Sequence, residues 1–477
     1  MDGGPQLQRR QQPEQSVLHR AVREGWPLVL AEAEGRGGLP KRVHEEVQRY
    51  LACGDIRRGL TLATCCECSE SVVIAFSCKS RGWCPSCAAR RAHEAEAHLD
   101  DVLPKVAFRQ WTLSVPYALR WVLVKDVKLL RAVERNLTRA VFRWQRQRAR
   151  QLGVAGQPKN GAVSFTQLFN AQLGLQPHTH LLVAEGVWSG ATFVPLPPPD
   201  QEEVEAVLKR LLKRLRRLFE GLEQRWPEDG FDALQLEGAQ LRLQLEEEPK
   251  VGRGRLVAVG QGFSLHAGTW VHGNDRDGLL RLVRYGARGP IAESRLSRRE
   301  DGKYEYQTKR GATLVLTAAQ LVKRLLWLIP PKSAHLTNFY GAFSSHSASR
   351  PNVLPRAAAA AAKKEPIPQQ SSLPGVSAPA VMKRPRLDWA ALHARTWGVD
   401  VWQCPCGGKR KVVAVVTSRR TAFGVAPEPG PAASATAALA QRPGPAAARA
   451  VAVARHDPLH PATRSRRPAA PTACRPR

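Results

Sequence analysis

The spacing of apolar positions along the chain predicts helices mixed with short strands. The N-terminal 50 residues are polar, and toward their end Val43, Val47 and Leu51 recur at a spacing of four, as apolar residues do on the buried face of a helix. Three later runs have the apolar pattern of strands, at 108–115, 162–169 and 178–187, and Pro116 ends the first of them. A long basic helix is predicted between the first two runs, within residues 125–150.

A Pro-rich break at 195–199 precedes the strongest helical pattern in the chain. Asp200 stands where a cap is needed, and Glu203, three residues later, would complete a capping box. Apolar residues between positions 204 and 222 then form one stripe, whereas the opposite face carries Lys and Arg. This basic face is either the solvated side of a helix packed on the body or a surface for the DNA backbone.

Shifts in composition divide the chain into segments. We predict an N-terminal helical segment (1–50), a zinc-binding domain (51–105), a main domain (106–343) with the inserted helix 200–226, a linker (344–387), a small cysteine-containing motif (388–418) and a basic tail (419–477). The linker is rich in Ser, Pro and Ala. The tail has few large apolar residues and is expected to be disordered, because it cannot bury enough surface to fold.

The charge balance indicates that this chain, otherwise of ordinary globular composition, has a polyanionic partner. Across 477 residues, 72 Lys and Arg against 41 Asp and Glu give a net charge of +31. Such a surplus favours nucleic acid, because neutralised phosphates release their condensed counterions. Neither a long apolar run nor a signal-peptide core is present, so we expect no membrane role and a cytoplasmic, nucleoid-associated location. Cysteines in that compartment should be reduced.

Seven of the ten cysteines fall within 35 residues and predict a metal site. Two Cys-x2-Cys pairs, Cys65/Cys68 and Cys84/Cys87, have the spacing of a tetrahedral structural zinc site with no open position. Three further cysteines are either small buried side chains or, for Cys78, a replacement ligand or part of a second site. These are Cys53, Cys66 and Cys78. The basic residues around the pairs are expected to contact DNA phosphates: Lys79, Arg81, Arg90 and Arg91. The later Cys404-Pro405-Cys406 is a weaker candidate, because it is Cys-x-Cys with no partner pair nearby.

A His-Thr-His sequence lies in the third predicted strand. Alternation along a strand puts His178 and His180 on one face, where two imidazoles could bind a divalent metal or simply be structural. A hairpin with the preceding strand would bring Gln167 near His180 as a third ligand or support. Glu185 has the opposite parity and should face away.

A short helix carries a tyrosine in a basic setting. The helix is predicted to end at Gly289-Pro290, with Tyr285 flanked by Arg281 and Arg288 on one face. Two arginines beside a phenol suit attack on a phosphodiester, since they can hold the phosphate. The alternative is a packed tyrosine with its arginines in solvent. Asp275 and Asp277 are expected to cap the helix start.

Taken in order, these motifs resemble the insertion-sequence-91 family of rolling-circle transposases, which use an HUH (His-hydrophobic-His) nuclease. The matching segments are Cys65-x2-Cys68, Phe76-Ser77-Cys78-Lys79, Cys84-Pro85-Ser86-Cys87, Arg109 to Pro116, His178-Thr179-His180, Arg284-Tyr285-x2-Arg288, Pro330-Pro331 and Leu336 to Gly341. Most of residues 40–343 is involved. The chain departs from the family at Thr179, at Gly289 where two-tyrosine members have their second tyrosine, and in its short Cys404-x-Cys406.

The resemblance implies an α+β fold with an HUH-type antiparallel sheet flanked by helices and preceded by a small zinc module. It implies a single-tyrosine enzyme in which His178, His180 and Gln167 hold Mg²⁺ or Mn²⁺, and Tyr285 attacks DNA to give a 5′-phosphotyrosine. Arg281 and Arg288 would steady the charge. The partner would be DNA, preferentially the single-stranded ends of a mobile element. The rival interpretation is a non-catalytic zinc-containing DNA-binding protein or a decayed transposase; a zinc hydrolase is disfavoured, because no third His pattern stands nearby.

Overall fold

The computed structural model describes residues 16–35, 37–219, 254–309, 311–331, 334–354, 389–397 and 400–417. The predicted tail (419–477), most of the predicted linker and the last residues of the predicted helix 200–226 lie outside the described residues. Within the described part of the chain, no helix is long and apolar enough to cross a membrane.

The described chain contains both helices and strands. The helices are α1 (Val17–Glu34), α2 (Lys41–Leu51), α3 (Pro85–Val102), α4 (Tyr117–Lys125), α5 (Val127–Gln151), α6 (Gln201–Phe219), α7 (Arg276–Ala287), α8 (Ala318–Leu326), α9 (Arg350–Val353) and α10 (Trp389–Trp397). The strands are β1 (Gly59–Cys65), β2 (Ser71–Ala75), β3 (Phe108–Ser114), β4 (Gly161–Phe169), β5 (Leu175–Ala184), β6 (Gly186–Ser189), β7 (Thr192–Pro195), β8 (Val257–Gly260), β9 (Phe263–Val271), β10 (Leu296–Arg298), β11 (Tyr304–Gln307), β12 (Thr313–Leu316), β13 (Thr337–Gly341) and β14 (Arg410–Thr417).

A six-stranded sheet forms the centre of the molecule. Its strand order is β13-β4-β5-β3-β9-β8, and every neighbouring pair is antiparallel. All nine residues of β4 are buried, because helices cover both faces of this part of the sheet. The predicted α+β class, with an antiparallel sheet and flanking helices behind a cysteine-rich module, is confirmed.

The two faces of this sheet bury different side chains. On one face, Leu99 of α3 and Val283 of α7 pack against Phe165 and Leu182. On the other face, α5 and α6 cover the residues of opposite parity. The two histidines predicted as ligands lie on the first face, so α3 and α7 are the helices that surround them.

The helix after the Pro-rich break begins as the sequence predicts. The backbone N–H of Glu203 donates to Asp200 Oδ1 at 2.8 Å, and Glu203 Oε2 accepts from the Asp200 N–H at 3.1 Å. Its apolar stripe is buried against the body, at Val204, Val207, Leu208, Leu211 and Leu215. The apolar side of this helix therefore packs on the body, which is the first of the two alternatives given for it above.

The predicted N-terminal segment is built into the body. Helix α1 lies along α8, where Gly25 contacts the backbone of Ala318 so closely that a Cβ atom would come within 2.4 Å of its carbonyl oxygen. Helix α2 and the cysteine-rich residues that follow share the same core. Residues 16–51 are therefore helical, as predicted, and are not a separate unit.

Two segments late in the chain are more ordered than their sequence pattern indicates. Residues Thr337–Gly341 form β13, which adds to the sheet edge and pairs Tyr340 with Ala162. The folded part of the chain extends into the predicted linker, since Val353 and Leu354 are buried with Phe343. Apolar side chains separated by turns gave no periodic signal in either segment.

A buried ion pair crosses the far face of the sheet. Arg109 Nε donates to Glu185 Oε1 at 2.6 Å, and Arg109 Nη1 donates to the Ala267 carbonyl at 2.9 Å. Both side chains are less than a tenth exposed. Glu185 therefore faces away from the histidines, as its parity predicted.

Replacing Arg109 by Ala should lower the free energy of unfolding by about 3–5 kcal/mol, because it leaves a buried carboxylate without its partner. Urea unfolding of the full chain at fixed zinc concentration measures the change. The matched control is Arg299→Ala, which breaks the half-exposed pair with Glu305 (3.2 Å) and should cost about 0–1 kcal/mol. Equal losses in the two variants would contradict the prediction.

Candidate active site

The His-Thr-His residues lie in β5 as predicted, with both imidazoles on one face. Their ring centroids are 4.8 Å apart. Thr179, between them, faces the opposite side, where its hydroxyl lies 3.3 Å from that of Thr166. Thr166 in turn contacts the buried carboxylate of Glu134 at 3.5 Å. A threonine suits this position because the side behind the histidines is polar and hydrogen-bonded.

In each imidazole the hydrogen bond is made by Nδ1, which leaves Nε2 available to bind a metal ion. His178 Nδ1 lies 2.8 Å from the Gln176 carbonyl, which only accepts, so Nδ1 carries the proton and Nε2 keeps its lone pair. His180 Nδ1 lies 3.1 Å from the Thr112 hydroxyl. His180 Nε2 is buried and has no hydrogen-bond partner among the described residues. Such orientation through the second ring nitrogen is usual for metal-binding histidines.

Both imidazoles are neutral near pH 7. Burial lowers the pKa of His178, with a smaller effect of Arg288. Burial, followed by the neighbouring His178 and Arg288, lowers the pKa of His180 to about 3. A neutral imidazole offers a lone pair to a cation, so protons do not compete for these atoms at physiological pH.

Gln167 completes this cluster from β4. The predicted antiparallel hairpin forms, but Gln167 pairs with His178, and Phe165 is the residue opposite His180. The Gln167 amide nitrogen donates to the carbonyls of Tyr285 (2.6 Å) and Gly286 (3.0 Å). Two carbonyl acceptors fix the amide orientation, which leaves Oε1 buried and unpartnered in the described structure. Two imidazole nitrogens and one amide oxygen are a donor set that fits a divalent cation.

Tyr285 lies directly beside this donor set, in the last turn of α7. Its ring is 39% exposed, and its centroid is 5.5 Å from that of His180. Gly286 permits this approach, because a Cβ atom there would come within 2.6 Å of Phe165 Cγ. Asp275 caps the helix start by accepting from the Gly278 N–H, as predicted.

The cations around Tyr285 differ from the predicted pair. The helix ends at Ala287, and Arg288 is extended, but its guanidinium still lies 4.6 Å from the Tyr285 ring centroid. Arg281 was expected on the same face. It is instead largely exposed and lies 3.9 Å from Asp275, one turn toward the helix start. Lys309, in the turn between β11 and β12, lies 5.7 Å from the centroid of the Tyr285 ring. It was not predicted, because it is distant from Tyr285 in sequence and belongs to no motif.

The other late tyrosines are engaged elsewhere. Tyr304 is fully buried and donates to Glu24 at 2.6 Å, and burial together with Glu24 raises its pKa to about 12. Burial and Glu134 raise the pKa of Tyr340 well above its usual value. Tyr306 is buried as well. Tyr285 is thus the one of these four whose ring lies both at the surface and beside the histidines.

The zinc-module helix α3 forms the opposite wall of the site. Two ion pairs join it to α7: Glu96 with Arg284 at 3.2 Å and Asp100 with Arg276 at 2.7 Å. Between α3 and the sheet lies a cleft of about 900 Å³, lined in part by Gln167 and Arg288. The cleft opens beside Gln167, one of the candidate metal ligands.

Eight of the described cysteines form two groups of four, so the structure does not bring the two Cys-x2-Cys pairs of the predicted site together. One group is Cys53, Cys78, Cys84 and Cys87; the other is Cys65, Cys68, Cys404 and Cys406. The two Cys-x2-Cys pairs are close in sequence, but the first lies at the turn between β1 and β2, whereas the second lies at the start of α3, with β2 between them. Cys404 and Cys406 are therefore ligand candidates that sequence spacing alone undervalued.

The first group sits at the start of α3 and has the dimensions of a structural zinc site. Its sulfurs are separated by 3.4 Å (Cys78–Cys87) and 3.8 Å (Cys53–Cys84). Four thiolates at about 2.3 Å from one zinc lie about 3.8 Å apart. Backbone N–H groups also donate to the sulfurs of Cys53 and Cys78. A zinc ion held by these four cysteines would have no open coordination position and would therefore be structural.

The basic residues predicted to contact DNA lie around this group. Arg81 donates to the Ala334 carbonyl and Arg91 to the Ser80 carbonyl, and burial lowers the pKa of Arg91. Both also line the cleft. Lys79 is exposed and Arg90 half-buried. The role of all four in binding DNA stays a prediction.

The close approach at Gly286 can be tested directly. Gly286→Ala should destabilise the protein by about 1–3 kcal/mol, because the added methyl group must push α7 from Phe165. The control is Gly35→Ala, where a Cβ atom meets nothing nearer than 3.8 Å. Thermal unfolding of both variants gives the comparison, and an unchanged Gly286→Ala midpoint would count against the described packing.

The grouping of cysteines gives a second test. Cys53→Ser should lose about one zinc per chain, because it removes one of four ligands from a closed site. Ser86→Ala, within the Cys84–Cys87 turn, is the control and should keep its zinc. Elemental analysis after dialysis measures both. Retention of all zinc in Cys53→Ser would favour the grouping predicted from the sequence.

Two models of known protein families match this chain, one over the cysteine module and one over the part that contains the histidines and Tyr285. A family model described as "Transposase zinc-binding domain", of the insertion-sequence-91 type, matches residues 22–115. A model described as "Putative transposase" matches residues 161–350. Searches of curated proteins and of solved structures found no match. The two models together span the cysteine module, both histidines and Tyr285, and the chain belongs to the insertion-sequence-91 family of transposases.

Proposed function

We propose that this transposase nicks and rejoins single-stranded DNA with an HUH-type site in which Tyr285 is the nucleophile. The observation that carries the proposal is the contact between an exposed tyrosine ring and a cluster of unpartnered ligand atoms. Tyr285 lies against His180, whose Nε2 is buried without a partner, and Gln167 Oε1 beside it is unpartnered too.

His178, His180 and Gln167 would hold Mg²⁺ or Mn²⁺. When bound, such a cation supplies Lewis-acid polarisation of a phosphoryl oxygen. The three protein atoms are set before the cation arrives, since Gln176, Thr112 and the carbonyls of α7 fix the orientation of the side chains. The amide of Gln167 has a second effect, because it ties the end of the tyrosine helix to the ligand strand.

The covalent step exchanges one phosphate ester for another. The phenolic oxygen of Tyr285 forms a bond to the phosphorus, its proton passes to solvent, and the bond from phosphorus to the 3′ oxygen breaks. The products are a 5′-phosphotyrosine and a 3′-hydroxyl, which takes up a proton. Because the ester bond is conserved, the reverse attack by a 3′-hydroxyl rejoins a strand without a nucleotide cofactor.

Arg288 and Lys309 are the residues that would stabilise the phosphate. Arg288 Nε is buried without a hydrogen-bond partner in the described structure, and its guanidinium lies over the Tyr285 ring. Lys309 approaches the same ring from the β11–β12 turn. Arg281, predicted for this role, would act only at longer range.

A single strand suits the cleft between α3 and the sheet. The phosphodiester must reach the recessed Gln167, and an extended strand enters such a cleft more readily than a stiff duplex. Basic residues of the zinc module, with Arg288, would follow the backbone. Rolling-circle transposition of element ends, and a nucleoid-associated location, follow from this proposal.

The nucleophile is tested by Tyr285→Phe, which removes only the phenolic oxygen. Covalent linkage to single-stranded DNA from the element ends in Mn²⁺ should vanish, whereas DNA binding should remain. Tyr117→Phe is the matched control, since Tyr117 is also 39% exposed and lies elsewhere. Denaturing gel electrophoresis of labelled DNA detects the adduct. An adduct from Tyr285→Phe would show that another residue attacks.

The metal ligands are tested by His180→Ala. We expect about a 10²-fold or greater loss of cleavage, because polarisation of the phosphate is worth several kcal/mol. Binding of the same DNA, measured by fluorescence anisotropy, should change little. If wild type and all variants bind DNA but none forms an adduct, the protein is a non-catalytic DNA-binding member of the family.

A further inference from the structure

A second cysteine cluster joins the two ends of the described chain. Cys65 ends β1 and Cys68 lies in the turn that follows, whereas Cys404 and Cys406 lie more than 330 residues later. The sulfur–sulfur distances are 3.6 Å between Cys65 and Cys406 and 3.5 Å between Cys68 and Cys404. These are too long for disulfides, which measure about 2.05 Å. They are close to the about 3.8 Å expected for thiolates around one zinc.

The backbone of the later pair is shaped for this approach. Gly407 has φ +91°, a left-handed conformation that favours glycine. A Cβ atom on Gly408 would come within 2.8 Å of Cys65 Sγ, so the absence of a side chain allows the contact. The N–H groups of Gly408 and Glu67 also donate toward the sulfurs of Cys406 and Cys65, at 3.4 and 3.5 Å. The Cys-Pro-Cys-Gly-Gly sequence therefore suits a metal-binding turn.

A buried cation accompanies the four sulfurs. Arg410 is 3% exposed and is paired with Cys65 across the β1–β14 register. It donates to the Gln403 carbonyl at 2.6 Å and lies 3.5 Å from a carboxylate oxygen of Glu70. Its Nε has no hydrogen-bond partner among the described residues. The other carboxylate oxygen of Glu70 lies 3.1 Å from Cys404 Sγ, so the ion pair of Arg410 with Glu70 lies directly beside the cluster.

We infer that Cys65, Cys68, Cys404 and Cys406 bind a second structural zinc ion, which fastens the C-terminal segment (residues 389–417) to the zinc module. Only half of the ligands fall within the matched zinc-binding domain. The zinc ion adds to an antiparallel pairing of β14 with β1 and to a small core in which Ala390 and Val401 pack against Ile74. The C-terminal segment and the zinc module therefore form one folded unit.

This unit reaches the active-site cleft. Helix α10 of the C-terminal segment packs on α3, and its exposed Arg395 lines the same cleft as Gln167 and Arg288. The second zinc thus holds in place a cation that would contact a DNA phosphate. This second step of the inference rests on the proposed function, whereas the zinc site itself does not.

Zinc content tests the site without any activity measurement. The full-length wild type should contain about two zinc ions per chain by the four-ligand rule, and Cys404→Ser/Cys406→Ser about one. Pro405→Ala keeps both thiols and is the control. Native mass spectrometry and elemental analysis provide the counts. One zinc in the wild type, or no loss in the double variant, would overturn the site.

A measurement on the wild type tests the site even if the double variant misfolds. Cys68 and Cys406 are exposed, so without a metal they should react with iodoacetamide. In the zinc-loaded protein both should be protected, and chelation should expose them together with Cys65 and Cys404. Rapid labelling of Cys406 while two zinc ions remain bound would also overturn the site.

The link to the cleft is tested by salt dependence of single-stranded DNA binding. Arg395→Ala should reduce the slope of log affinity against log salt by about 0.7, the value for one phosphate contact, and should keep both zinc ions. Cys404→Ser/Cys406→Ser should reduce the slope similarly, because it releases α10. Loss of zinc with an unchanged slope would leave the metal site standing and refute its role in the cleft.

Discussion

The arrangement of the candidate site depends on how closely the end of α7 approaches β4. At Gly286 the helix backbone touches Phe165, and the neighbouring Gln167 amide binds the last carbonyls of the helix. One contact is steric and tolerates no side chain; the other is polar and uses both amide protons. Together they set the distance between Tyr285 and the histidines.

The group of Cys53, Cys78, Cys84 and Cys87 supports this contact from the far side of α3. It fixes the start of α3, and α3 in turn is tied to α7 by ion pairs at Glu96 and Asp100 and by the close packing of Ala88 on Gly289. A side chain at Gly289 would strike α3, which fits a site with a single tyrosine at this helix end. The cysteine module is therefore part of the wall of the site, and its basic residues are predicted to contact DNA.

Local patterns predicted much of the molecule, and long-range pairing explains what they missed. Strand alternation was enough to put His178 and His180 on one face and Glu185 on the other, and capping residues located the start of α6. Cysteine spacing failed, because it ranks partners by distance along the chain, whereas β1 and β14 bring Cys65 and Cys406 together across the fold. Lys309 and Arg395 reach the site for the same reason and leave no sequence motif.

The proposed second zinc site also has a consequence for the order of events during synthesis. Cys404 leaves the ribosome 336 residues after Cys68, a delay of roughly 20–70 s at about 5–20 residues per second. During that interval the earlier pair has only the other module cysteines as neighbours, including Cys84 and Cys87. A nascent chain could then bind zinc in a local, mispaired form that must exchange ligands once Cys406 appears. Maturation of the enzyme would be slow, and chains that end early would never complete the cleft.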